Sequence, residues 1–414
     1  AAASSTETAE SPPAMNELNL QRPGRQAAPA PVVPSFALWQ LGFRPFYLLA
    51  SLFSALSIAL WALQYSGLLG HAYLRGPLWH AHEMLFGYTV AVIAGFLLTA
   101  VRNWTNRPTP TGVPLMALAA LWVAGRVLVL SPWGAAAALV NAAFPIAVAV
   151  GIGVPIVRSR NKRNYFFVGL LVLLGMITGA VHAALLGAVD VSPLFGLRLA
   201  LDVVLFIMAV MAGRVVPMFT NNGVPGTNAT RRPWLEKVAL GSVIVLFLAD
   251  LAQGMPLLAG TVAAVAAVAH AARLALWQPW RTLRTPLVWV LHGAYLWVVI
   301  HLALRALAAA GLADESLSFH ALTVGGIGGL TLGMITRTAR GHTGRPLKAD
   351  GYEAAAYLLV FAAALVRVFG PMLAPGLSLA FIEISALLWV AAFVVYLVRY
   401  WPVLTRPRLD GKPG

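Results

Sequence analysis

The residues with chemistry to offer gather first at Trp79–Met84, which reads WHAHEM and opens the apolar run LFGYTVAVIAGFLLTAV. His80, His82, Glu83 and Met84 put two imidazoles, a carboxylate and a thioether into one helical turn and a half. Imidazole binds haem iron and copper, and a thioether suits copper. On a regular helix, residues two apart point about 200° from each other. His80 and His82 therefore reach one ion only if the helix start unwinds. Otherwise each faces a different centre and one helix bridges two cofactors. His80 shares its face with Glu83, Met84 and Gly87, which pairs an imidazole with a soft sulfur.

The elements that position these groups follow from composition. The chain has 414 residues, 59% hydrophobic and only 10% charged, against about 25% charged for a soluble domain. Apolar runs of about 20 residues, enough to cross a bilayer as a helix, recur along it. The reading is an all-α polytopic membrane protein of twelve transmembrane helices. They lie near 45–68, 79–101, 112–130, 134–157, 165–188 and 196–216, then 234–253, 255–277, 286–311, 317–337, 352–373 and 377–400. The turn-rich stretch at 217–233 joins two halves of six in one membrane domain, 36–408. Residues 409–414 are a short C-terminal tail. Residues 1–35, rich in Ala, Pro and Ser without an apolar core, read as a disordered tail rather than a signal peptide.

The net charge of +15 suggests nucleic acid only if position is ignored. All of the 29 Lys and Arg except Arg75, Arg126, Arg198, Arg305 and Arg367 fall on the side of the N-terminus. That sorting excludes a nucleic-acid partner in favour of the lipid bilayer and predicts both termini in the cytoplasm. With no cysteine, any metal must be held by His, Met, carboxylate or backbone.

Orientation gives each polar residue a depth. His80, His82, Glu83, His182, His320, Asp202, Glu383, Arg126, Arg305 and Arg367 collect in one outer layer. Ionisable residues inside a membrane are costly and mark function. His80, His82, His182 and His320 are the candidate haem and copper ligands, with Met84 as a soft addition. Arg126 and Arg367 are candidate partners for propionates, and Glu83, Asp202 and Glu383 are candidate proton donors. His270, His292 and His342 form a possible second, inner set. The rival readings are plainer: His301 as a packing hydrogen-bonder, His71 as a loop residue, Arg75 as an interfacial anchor, and Asp202 as the partner of Arg198. Gly325, Gly329 and Gly333 below His320, and Gly175 and Gly179 below His182, suggest flat slots for a macrocycle, against ordinary small-residue packing.

Several stretches resemble the signature of one family. They are LGFRPFYLLA near the start, WHAHEMLFGYTVAVIAGFLLTAVRNWT, GRVVPMFT at 213–220, PLVWVLHGAYLW at 286–297, FHALTVGGIGGLTLGMITRTARGHTGRPL at 319–347, and WPVLTRPRLDGKPG at the end. The chain is thereby identified as a member of the NnrS family from about residue 36 onward. The resemblance implies a bacterial inner-membrane protein of twelve helices that binds haem, of b type, and copper, and that serves nitric oxide metabolism and resistance to nitrosative stress. Family motifs fall on His80, His82, His292, His320 and His342. An enzyme reducing nitric oxide would need an electron donor outside the chain, a quinol or a redox protein. The alternatives are a non-enzymatic haem or copper handling or NO-sensing protein and, further off, a proton-coupled transporter.

Overall fold

The computed structural model describes residues 36–412 except 66 and 69–72. The tail expected over 1–35, His71 and the last two residues lie outside the described residues.

The described chain is helical, without a strand. In order the long helices are α1 (Phe43–Tyr65), α2 (Gly76–Thr105), α3 (Val113–Leu128), α4 (Gly134–Arg158), α5 (Tyr165–Leu185) and α6 (Pro193–Gly223). Then come α7 (Pro233–Ala252), α8 (Pro256–Leu276), α9 (Pro286–Ala309), α10 (Glu315–His342), α11 (Gly351–Leu373) and α12 (Ser378–Thr405). Their positions follow the apolar runs, because an unbroken run can satisfy its backbone in lipid only as a helix. Proline opens several of them at the first turn, where its missing N–H costs nothing. The expected joint shrinks, since α6 continues through Pro217 to Gly223.

Ten of these helices are long and apolar enough to cross a membrane, so the expectation of twelve is met in part. The other two have clear physical reasons for falling short. Helix α3 has 16 residues, under the ~20 that a bilayer asks for. Helix α7 has 20 residues but carries Glu236, Lys237 and Asp250.

Neighbours in sequence are mostly neighbours in space, and α1 packs on α12, which closes the bundle. The amide of Ala37 donates to Thr405 O at 2.7 Å across that seam. The core lies around α2, whose apolar window is 89% buried, with α6 and α10 at 72%; the window of α12 is only 28% buried. Outer helices show apolar side chains outward, such as Leu139, Val150 and Val157 on α4 and Leu379, Leu387 and Val398 on α12. Such a girdle suits lipid rather than water.

Candidate functional site

Helix α2 is regularly α-helical from Gly76 through His82. The two histidines of WHAHEM therefore diverge as the 200° offset requires. His80 faces a cavity, and His82 faces a separate, packed network. The next seven residues, Glu83–Thr89, form a π-helical turn. Helix α10 repeats the arrangement: His320 ends an α-helical start and Ala321–Gly328 is π-helical. Each π turn loosens the carbonyl ladder, and side chains take up what it frees. Thr89 Oγ1 donates to Met84 O at 2.8 Å and Trp122 Nε1 to Gly87 O at 3.0 Å. Such turns are rare and recur at functional sites.

The cavity holds about 900 Å³ and is lined mainly by apolar side chains of α1, α2, α6, α10 and α12. That lies near the top of the ~300–1,000 Å³ usual for cofactor pockets. His80, Met84, His320, Arg367, Arg198 and Asp250 supply its polar character. The ring of His80 stacks on Trp61 at 4.8 Å, and its Nδ1 is buried without a partner. His320 is held differently. Its Nδ1 donates to Ser316 O at 2.7 Å, and its Nε2 accepts from Arg367 Nη2 at 3.1 Å. Asp314 caps the helix that carries it, accepting from Ser316 N at 2.7 Å. A carbonyl on one ring nitrogen leaves the lone pair on the other, which is how a ligating histidine is oriented. At the rim Arg198 pairs with Glu315, both half-exposed.

Across the helix His82 Nε2 meets His182 Nε2 at 3.1 Å. His82 Nδ1 donates to Glu83 Oε1 at 2.8 Å, and Tyr73 Oη donates to His182 Nδ1 at 3.2 Å. These directions leave one proton between the two Nε2 atoms, given by His182 to His82. Glu83 is fully buried and paired with Arg126 Nη1 at 3.0 Å. Arg126 also donates to Asn141 and lies against Phe53 and Trp122. So Arg126, expected as a propionate partner beside Arg367, is committed to Glu83 on the far side of α2. The four outer histidines divide into two pairs, and no group of three His, Asp or Glu suited to a metal occurs among the described residues.

Asp202 does not pair with Arg198. Arg305 Nη1 donates to it at 2.8 Å and also binds Asp250. Two carboxylates thus share one guanidinium, all three buried, with Asp202 Oδ2 left without a partner. Glu383 sits apart: it is exposed on α12, while Ile382 and Ser385 line the cavity. One residue is a 100° step on a helix, which turns Glu383 away from the cavity.

The inner histidines are engaged by the fold. His270 accepts from Tyr295 Oη at 2.5 Å and donates to Ala239 O at 3.1 Å. His292 Nε2 lies 3.2 Å from Trp277 O and 3.3 Å from Thr220 Oγ1. His342 lies against Phe43. His301 donates to Ser318 O at 2.9 Å, as a packing histidine would. The glycine stripe on α10 is a packing surface, not a slot. A Cβ on Gly325 would strike Trp297, one on Gly329 would meet Phe361 and Ala294, and one on Gly333 would meet Val290. Gly175 faces Ile146 in the same way. The macrocycle slot drawn from the α10 stripe is therefore corrected: α10 turns its glycines to α9 and α11 and its His320 to the cavity.

Sequence reasoning did not single out Tyr73, Asn141, Trp61, Ser316 or Asp250. Only Asp250 carried a signal, as a carboxylate at the end of an apolar run. The others are ordinary residues made relevant by distant contacts.

No curated protein matches the chain. A family model described as the NnrS protein matches residues 37–408. That span takes in every helix described above, from the polar layer of α2 and α10 to the final turns of α12, and the chain belongs to the NnrS family, a family of membrane proteins connected with nitric oxide.

Proposed function

We propose that the chain is a haem- and copper-binding protein of the bacterial inner membrane, with twelve crossings and both termini cytoplasmic, that binds nitric oxide and reduces it. The observation that carries this reading is the cavity beside α2. Two histidines from different helices line one large apolar space, one with a buried unpartnered ring nitrogen and one held by its Nδ1. These residues fit a haem: His80 and His320 would hold it, and Arg367, on leaving His320 Nε2, would partner a propionate. Bound there, haem iron would supply an NO-binding redox centre. The facing Nε2 atoms of His82 and His182 fit copper, a metal that favours imidazole. The single proton they share and a copper ion exclude each other, so loading would release that proton. Glu83 behind His82 orients the ring in either state.

Reduction of two NO to nitrous oxide and water consumes two electrons and two protons. Arg305 holds both Asp202 and Asp250. Asp250 lines the cavity, so this carboxylate pair is the candidate proton donor at its edge. The electrons must come from a quinol or a redox protein. The polar groups lie toward one end of the bundle rather than at its middle, which disfavours a transporter.

The test is metal and haem analysis of the purified chain, with reduced-minus-oxidised spectra before and after NO. A stoichiometric haem whose bands move with NO supports the reading. A folded, colourless and metal-free protein after expression with haem and copper supplied refutes it. Bound haem without NO turnover favours a sensor or metal-handling role.

A further inference from the structure

The end of the bundle opposite the cavity contains a second, unrelated concentration of charge. Arg44, in the first turn of α1, is fully buried. Its Nη1 donates to Leu404 O at 2.9 Å and Arg406 O at 2.8 Å, which ties α1 to the end of α12. Its Nε and Nη2 are buried with no acceptor. Arg345, three residues beyond α10, also buries an Nη1 with no acceptor. Arg408 completes the group. It donates to His342 O at 2.8 Å, and Leu409 N reaches Thr343 O at 3.1 Å, so the segment after α12 lies along the end of α10. Asp410 binds Arg408 through both oxygens, at 2.8 and 2.6 Å, and is the acid this group holds. Arg345 and Arg408 both act on Arg44 as like charges, and Arg340 and Arg406 act on Arg345.

A buried guanidinium beside like charges, with donors left over, is costly unless an anion completes it. The open donors belong to planar forks, whose geometry matches tetrahedral oxyanions. We propose that Arg44 and Arg345 form a binding site for a phosphate oxyanion where α1, α10 and α12 end, with Arg408, held by Asp410, beside it. The phosphate is that of an anionic lipid headgroup or a free phosphate. Basic pockets between helix ends at a membrane face suit either.

The test uses the full chain in a neutral detergent and follows the unfolding midpoint. Sodium phosphate is titrated against sodium chloride at equal ionic strength. In parallel, phosphatidylglycerol is titrated against phosphatidylcholine. A saturable rise with phosphate assigns a free oxyanion. A rise with phosphatidylglycerol alone assigns a lipid. In either case Arg345→Gln, at a half-buried loop position, should weaken the apparent affinity about tenfold. Arg44→Lys, which keeps the charge but loses the fork, should weaken it as well. No response to either phosphate source, or the same affinity in Arg345→Gln as in the unaltered chain, overturns the proposal.

Discussion

His80 and His82 stand two residues apart on α2 and occupy opposite conditions. His80 looks into about 900 Å³ of apolar space with a ring nitrogen unpartnered. His82 has both ring nitrogens engaged, in a row from Tyr73 through His182 to Glu83 and on to Arg126. The first side gives up hydrogen-bonding to keep room. The second gives up room to keep every ring nitrogen satisfied. A partnerless ring nitrogen facing open apolar space marks the His80 side as the one built around something else.

Substitutions can break this contrast, and the largest effect should come from the open side. His320→Ala should remove nearly all bound haem and leave the unfolding midpoint of the haem-free protein almost unchanged, read by pyridine haemochrome and thermal unfolding. His182→Ala should instead lower copper content and retain haem. If both variants lose both groups, the two sides form a single site and the contrast fails. On the packed side Glu83→Ala should destabilise by ~3–5 kcal/mol, because Arg126 is left as an uncompensated buried charge; denaturant unfolding in detergent measures it. Gly325→Ala sharpens the comparison from a third direction. Its methyl meets Trp297, so it should cost ~1–3 kcal/mol by overpacking with haem content unaltered. A loss of haem there would return the glycine stripe to the cofactor. Smallest of all, Glu315→Gln at the exposed rim should change stability by less than ~1 kcal/mol and leave the metal contents intact.

The helices were legible in the sequence because lipid demands unbroken apolar runs, and the runs are plain to read. The divergence of His80 and His82 was legible as one of two options, since it follows from helix geometry. What decided between them, a regular α-helix through His82, was not. The pairing of His320 with Arg367 and of His82 with His182 needed the packing of α2 against distant helices, which no spacing encodes. Arg126 shows the limit best. Its position near the outer end of α3 was readable, yet its partner, Glu83 or a propionate, depends on which way α3 is rotated. Glu383 fails for the same reason, since one 100° step separates the cavity wall from the exposed face.

The π turns after His82 and His320 give the molecule a vulnerability that no inventory of its side chains would reveal. Each is a helix carrying one residue more than its neighbours need. Were Glu83–Thr89 to wind as an ordinary α-helix with no residue removed, everything before it would rotate by about one residue's step, roughly 100°. His80 would leave the cavity and His82 would swing toward it, while every histidine remained in the chain and the span stayed as hydrophobic as before. The winding of a helix is thus itself part of the site.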